Sequence, residues 1–275
     1  MTRNRTYALT GFSAALYVVL LWAFGDHQFS GNWWNTKGIA DSNVFTYLLL
    51  AAIVAAGVVQ ARRLPAAVDV TSPVPAELPE GQLDDPAAWK LLMGNVFFAI
   101  VWMPVRFFVG REWLAAGEEK MRSDGWMKGG SALKGFWTSS VAIPDKGSPK
   151  IHYSWFRDFL QFMLNHEWYT WFAKVIAVGE ALVGIGLIVG ALVGVAAFFG
   201  TVLNFNFQLA GTASTNPVLF GFGVLLVLGW KVAGWWGLDR VLLPLLGTPW
   251  ARGHRFTAKL RSDVSHVKPV EAKLA

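Results

Sequence analysis

Charged and amide side chains interrupt the apolar runs of this sequence at a few positions. Glu180 lies within an apolar run that covers residues 172–200, Asn204 follows in the next run, and Lys231 lies in the one after that. A charge near the centre of a bilayer costs about 3 kcal/mol or more, so such side chains normally face the interior of a helical bundle. A buried carboxylate beside an ammonium group can hold and transfer protons. We therefore predict that Glu180 and Lys231 form a catalytic pair.

The depth of these side chains in the membrane decides which of them can meet. At about 1.5 Å per residue, Glu180 and Asn204 each lie about 18 Å from one end of their predicted helices, and Lys231 lies about 21 Å from an end of its own. The three side chains can therefore share one layer, and Gln208, one turn after Asn204, lies on the same helix face. Two interpretations of the layer stay open: a functional site, or a buried ionic latch that only orients the helices.

Transmembrane helices are the elements that would position this layer. The chain has 275 residues, of which 54% are hydrophobic, and a soluble domain of this length is rarely so apolar. A helix of about 20 apolar residues crosses a bilayer, and six windows satisfy that requirement: 7–24, 44–61, 89–109, 168–190, 192–211 and 217–236. We predict an all-α fold, a polytopic membrane bundle with six transmembrane helices in the cell membrane.

Charge and proline content divide the chain into four parts. Residues 1–62 are predicted to form a two-helix membrane unit, 63–88 a proline-rich cytoplasmic linker, 89–247 a four-helix membrane bundle, and 248–275 a basic tail. Because basic segments are retained in the cytoplasm, both termini are predicted to be cytoplasmic. A net charge of +6 with this tail indicates contact with membrane lipid headgroups rather than with nucleic acid.

An external lid over the bundle is predicted for residues 111–167. Within it, Trp155, Phe159 and Phe162 recur at helical spacing, and further apolar residues widen the stripe. This pattern is typical of an amphipathic helix. We predict a helix over 151–165 that lies across the outer face, with its apolar stripe on lipid or on the spans.

The histidine and cysteine content limits the cofactors that the chain can bind. Cysteine is absent, which excludes iron–sulfur clusters held by cysteine and thiolate metal sites. A membrane-embedded haem usually needs two facing histidines. All the histidines lie outside the predicted spans, so we expect neither haem nor a metal site: His27, His152, His166, His254 and His266.

Three motifs follow one another within the predicted four-helix bundle. They are RFFVGREWLAAGEEK at 106–120, GEALVGIGLIVG at 179–190 and LNFNFQLAGTASTNP at 203–217. Their order and spacing resemble the DoxX/DoxD family of small four-helix membrane proteins, and the resemblance covers roughly 89–247. The positions that the resemblance marks are Arg106, Gly110, Lys120, Glu180, Gly184, Asn204, Gly211, Asn216 and Pro217.

The resemblance implies a quinone-linked oxidoreductase. Some members of that family are the quinone-reducing membrane subunits of thiosulfate:quinone oxidoreductase, which couples two thiosulfates into tetrathionate. A chain of this kind would use quinone as a substrate and act with a protein partner or as an oligomer in a redox complex. The alternative is a non-catalytic structural or anchoring subunit of a larger respiratory membrane complex.

The candidate binding residues combine the resemblance with the depth argument. Arg106 is expected near the outer end of the third span and to point towards the polar layer. With Lys120 it would form a cationic mouth that attracts an anion such as thiosulfate. Asn204 and Gln208 would bind the quinone or the substrate deeper in the bundle, beside Glu180 and Lys231.

Overall fold

The computed structural model describes residues 1–25, 38–64 and 84–247, and this part of the chain is helical without any strand. Most of the predicted linker and the whole basic tail, with His27, His254 and His266, lie outside the described residues. A single 3₁₀ turn, Val96–Phe98, accompanies the helices α1 Arg3–Phe24, α2 Asn43–Arg63, α3 Ala87–Gly94, α4 Ala99–Arg122, α5 Asp124–Met127, α6 Ser131–Val141, α7 Ser154–Asn165, α8 Tyr169–Val189, α9 Val193–Leu209, α10 Asn216–Leu228, α11 Trp230–Ala233 and α12 Asp239–Leu245.

Three of the described helices, α1, α2 and α8, are long and apolar enough to cross a membrane. A fourth span results only if α3 and the segment Val96–Arg122 count as one, although they are bent by 73°. Helices α9 and α10 are apolar but have 17 and 13 residues, so they are about 26 Å and 20 Å long, shorter than the hydrocarbon layer. The prediction of an all-α protein with membrane-type helices is confirmed, whereas six full-length spans are not shown.

The long helix of the predicted third span begins later than its hydropathy suggests. Helix α3 ends at Gly94, and the side chain of the next residue, Asn95, accepts a hydrogen bond from the Phe97 N–H at 3.0 Å, which caps the start of the 3₁₀ turn. Helix α4 then continues to Arg122, well into the segment predicted as an external lid. It buries Arg111 and Glu112. The hydropathy pattern did not indicate that the helix extends to Arg122, because charged residues lower the mean hydropathy of a helix even where they are buried inside a bundle.

Helices α4 and α8 pack closely because glycine lies on both sides of their contact. A Cβ atom placed on Gly117 would lie 2.5 Å from the backbone nitrogen of Ala181, and one on Gly184 would lie 2.5 Å from that of Leu114. Small residues at a helix contact let the two backbones approach, which is a common way of packing helices in membranes. The contact fixes the register of α8 against α4.

The two N-terminal helices pack against α4 and share its core. Tyr17 of α1 and Ile53 of α2 are fully buried in the same apolar cluster as Phe108 of α4. The turn before α2 is fixed to α4, since Arg111 Nε donates to the Ala40 carbonyl at 2.6 Å and the Ala40 N–H donates to Glu118 at 3.2 Å. The predicted two-helix unit is therefore continuous with the bundle in its packing.

Helices α6 and α7 form a second apolar cluster over the start of α8. The predicted amphipathic helix is confirmed over Ser154–Asn165. Its buried face is Phe156, Leu160 and Met163, whereas the other aromatic side chains of the predicted stripe, including Trp155, are exposed. The apolar side chains of α7 thus cover more of its surface than the face that packs on the bundle.

An aspartate from α12 caps the start of α9. The turn before α9 places Leu192 at φ 49°, and the first N–H groups of a helix need acceptors from outside it. The Asp239 carboxylate accepts hydrogen bonds from the N–H groups of Leu192 and, at 2.9 Å, Val193. Burial raises the pKa of the Asp239 carboxyl, and these two backbone donors act in the opposite direction.

Loss of this cap is expected to destabilise the fold. Asp239→Ala removes the acceptor for two buried N–H groups, which costs about 1–2 kcal/mol. Thermal unfolding of the detergent-solubilised protein, followed by tryptophan fluorescence, measures the change. Asp158→Ala, at an exposed position of α7, is the control and leaves the midpoint unchanged. Equal midpoints for the two variants would contradict the capping role of Asp239.

Candidate functional site: a buried ion pair beside a cavity

Glu180 and Lys120 form an ion pair inside the bundle. Lys120 Nζ lies 2.6 Å from Glu180 Oε2, and the two side chains are 19% and 1% exposed. Both residues stand beside the close α4–α8 contact, since Lys120 is one turn after Gly117 and Glu180 directly precedes Ala181. The pair therefore depends on the approach of the two backbones. A charge-assisted hydrogen bond of this length is among the stronger polar contacts in proteins.

The ion pair forms part of the wall of a cavity of about 600 Å³. The Lys120 ammonium also lies 5.2 Å from the ring centre of Trp126, a geometry that favours a cation over the aromatic face. The cavity is lined by residues of α4, α5, α6, α8, α9, α10 and nearby turns: Asp41, Glu112, Trp113, Ala115, Ala116, Glu119, Lys120, Arg122, Trp126, Phe136, Glu180, Phe207, Thr212, Ser214, Thr215, Asn216 and Leu219.

The α9–α10 turn contributes hydroxyl and amide groups to the cavity lining, in addition to the ion pair. Gly211 has φ 84°, a conformation that residues with a Cβ rarely adopt. The Asn216 side chain donates to the Thr212 carbonyl at 3.3 Å, which holds the turn together. Pro217, in the first turn of α10, favours the start of that helix. The third sequence motif thus supplies hydrogen-bonding groups to the cavity.

Lys231 does not belong to this site, and its predicted pairing with Glu180 is wrong. Lys231 is exposed on the four-residue helix α11, whereas Glu180 is buried against Lys120. The depth argument assumed one continuous helix from 217 to 236, but α10 ends at Leu228. The break after α10 places Lys231 beyond the helix that would have carried it to the level of Glu180.

Arg106 also lies away from the cavity, contrary to the prediction. It is buried, and its Nη2 donates to the Trp236 carbonyl at 2.8 Å. Nη1 is 3.4 Å from the Ala233 carbonyl, and Gly190 leaves the space that this guanidinium fills. Because α4 begins at Ala99, Arg106 stands near its start and about 21 Å along the axis from Lys120. Arg106 therefore joins the α8–α9 turn to the segment between α11 and α12.

Asn204, predicted to share a layer with Glu180 and to bind the quinone or the substrate, is not among the residues that line the cavity. It is fully buried, and neither polar atom of its amide has a hydrogen-bond partner within the described residues. Gly200, one turn earlier, packs against Val183 of α8, and the antiparallel course of α8 and α9 brings Asn204 level with the residues near Glu180. Gln208, predicted as a second binding residue on the same helix face, donates to the Asn204 carbonyl at 3.3 Å and does not line the cavity either.

The sequence alone did not reveal most of the cavity lining. Glu112, Glu119 and Trp113 were missed because residues after 110 were assigned to a lid instead of to α4. Helical spacing over 113–120 was the available signal, since Trp113, Ala116 and Lys120 are on one face of a continuous helix. Across the residues that the structure describes, no group of three or more His, Cys, Asp or Glu is arranged to hold a metal ion.

No protein-family model, curated protein or solved structure matches this chain. The resemblance to the DoxX/DoxD family therefore rests on the three sequence motifs and stays a prediction. Two of those motifs contribute the ion pair, and the third contributes the polar turn, so all three reach the cavity.

Proposed function

We propose that this chain is an integral membrane subunit of a quinone-linked oxidoreductase of the thiosulfate:quinone oxidoreductase type, and that the cavity binds the quinone headgroup. The observation that carries the proposal is the Lys120–Glu180 ion pair, which is buried in the bundle and reaches this cavity. A volume of about 600 Å³ falls within the range of small-molecule sites. The aromatic side chains and hydroxyl groups of the lining suit a flat ring with carbonyl oxygens.

The ion pair suits the proton chemistry of quinone reduction. A quinone takes up two electrons and two protons when it becomes a quinol, and coupling two thiosulfates into tetrathionate releases two electrons. In the proposed reaction, the Lys120 ammonium donates a proton to a reduced quinone oxygen and regains it from water in the cavity. Water supplies the second proton. Glu180 holds the Lys120 Nζ at the cavity wall.

Loss of the buried pair is expected to weaken quinone binding without unfolding the protein. Lys120→Met/Glu180→Gln replaces the pair with uncharged side chains of similar size. We expect the affinity of the purified protein for decylubiquinone or menadione, measured by tryptophan quenching, to fall at least about tenfold, the equivalent of 1.4 kcal/mol. The matched control is Lys128→Met/Asp124→Asn, an exposed pair at 3.0 Å. Equal quinone affinity in both double variants would remove the ion pair from the site.

The orientation of the chain belongs to the same proposal. We propose a multi-pass protein of the cell membrane with six membrane-embedded helices and both termini in the cytoplasm. Because the chain has no cysteine, Ser262→Cys carries the only thiol. A membrane-impermeant thiol reagent is expected to label it in inverted vesicles and not in intact cells. Labelling from outside intact cells would refute the cytoplasmic tail.

A second candidate function is a non-catalytic anchor of a larger respiratory complex. The exposed aromatic side chains of α7, which lies outside the candidate spans, favour it because they are available for contact. Purification in a mild detergent separates the two proposals. Co-purified quinone, lost in the Lys120→Met/Glu180→Gln variant, supports the oxidoreductase. A stoichiometric protein complex without quinone supports the anchor.

A further inference from the structure

Helix α7 has an exposed aromatic face, its outer face, beside the face that packs on the bundle. Trp155, Phe159 and Phe162 are 61%, 46% and 47% exposed, and their spacing of four and three residues places them on one side of the helix. The packing face is separate, since it consists of Phe156, Leu160 and Met163. The outer face is therefore not required for folding onto the bundle.

A row of ring contacts joins this outer face to α8. The ring centres of Phe162 and Trp168 are 5.7 Å apart, and those of Trp168 and Trp171 are 5.8 Å apart. Trp171 lies in the first turn of α8, which is a candidate membrane span. The aromatic row thus ends on a helix that is long and apolar enough to cross the bilayer.

An exposed apolar stripe continues down α8 from Trp171. Its members recur at helical spacing over the full length of the helix, and all are more than two-fifths exposed: Trp171, Val175, Val178, Leu182, Ile185 and Val189. In a membrane such a stripe contacts the acyl chains of lipids. The outer face of α7 is continuous with the end of this stripe, so we expect both surfaces to contact lipid.

We propose that the outer face of α7 is a membrane-interface anchor that inserts between lipid headgroups and acyl chains. The helix ends at Asn165 and the candidate span α8 begins at Tyr169, so α7 is held at the level where the span leaves the bilayer. Tryptophan and other aromatic residues favour that level, since their rings are largely apolar and tolerate the hydrated headgroups. The buried face of α7 packs on α6, whose Phe136 lines the cavity. Lipid contact therefore supports a wall of the cavity from outside.

Site-directed spin labelling tests the anchor without any quinone. Each label is attached to one introduced cysteine in the otherwise cysteine-free chain, reconstituted in phosphatidylcholine–phosphatidylglycerol vesicles. Phe159→Cys reports the outer face of α7, and Asp158→Cys reports the neighbouring polar position. Leu182→Cys on the α8 stripe is the lipid reference, and Lys128→Cys, with a side chain 76% exposed, is the water reference. The accessibility of each label to oxygen and to a water-soluble nickel chelate is measured.

The expected result is an oxygen-to-nickel accessibility ratio at Phe159 that lies between the ratios at Lys128 and Leu182 and exceeds that at Asp158 several-fold. A ratio at Phe159 equal to that at Lys128 would place the face in water and overturn the proposal. Shielding of the Phe159 label from both reagents would overturn it too, because the face would then pack on protein, such as a second copy of the chain. None of these outcomes depends on whether the cavity binds quinone.

Discussion

Lys120→Met alone is expected to destabilise the protein by about 3 kcal/mol or more, because it leaves a buried carboxylate without its partner. The Glu180 side chain is 1% exposed, so water cannot replace the lost ammonium. Glu180→Gln is expected to cost less, since the Lys120 side chain is 19% exposed at the cavity and keeps part of its hydration. The combined variant is expected to recover most of the stability, because neither charge is then left buried.

The free energy of unfolding in mixed detergent micelles measures this cycle, with urea or SDS as the denaturant. Lys128→Met, from an exposed pair, is the control and should change stability by less than about 1 kcal/mol. Strictly additive losses in the double variant would contradict direct coupling of Lys120 and Glu180. The same variants separate a latch from a proton-handling site. A latch predicts normal quinone-linked turnover per folded molecule in Glu180→Gln, whereas proton handling predicts near-normal folding and a large loss of turnover.

Gly117→Ala is expected to destabilise the bundle by about 3 kcal/mol, although alanine is the better helix former. The new Cβ atom would lie 2.5 Å from the backbone nitrogen and 2.8 Å from the Cα atom of Ala181. Neither atom belongs to a flexible side chain, so α4 and α8 must separate. Because Lys120 and Glu180 flank this contact, we also expect the variant to bind quinone more weakly.

Gly179→Ala on α8 is the matched control for this substitution. No atom lies within 4 Å of a Cβ placed on Gly179, so this change should be neutral or slightly stabilising through helix propensity. Thermal midpoints in one detergent compare the two variants directly. If Gly117→Ala were as stable as Gly179→Ala, the close packing of α4 on α8 would be refuted.

The features that depend only on local sequence pattern could be predicted from the sequence. Hydropathy alone indicates membrane-type helices, because the requirement for about 20 apolar residues is a property of each segment by itself. The spacing of Trp155, Phe159 and Phe162 was enough to predict α7, although the structure packs Phe156, Leu160 and Met163 on the bundle. The burial cost of a charge was enough to predict that Glu180 faces the bundle interior and needs a partner.

The tertiary structure decided which partner Glu180 has. Choosing between Lys120 and Lys231 required the true ends of α4 and α10, and those ends depend on contacts outside the helices. Helix α3 ends at Gly94 and α10 at Leu228, so Arg106 and Lys231 lie away from the predicted layer. Lys120, by contrast, lies on the continuous helix α4 beside Glu180. The close contact of Gly117 with Ala181 then set the register of the two helices. Hydropathy reports the burial of a segment and not its rotation or its axial position. For that reason the sequence determined that a buried carboxylate would be paired, and only packing determined that its partner is Lys120.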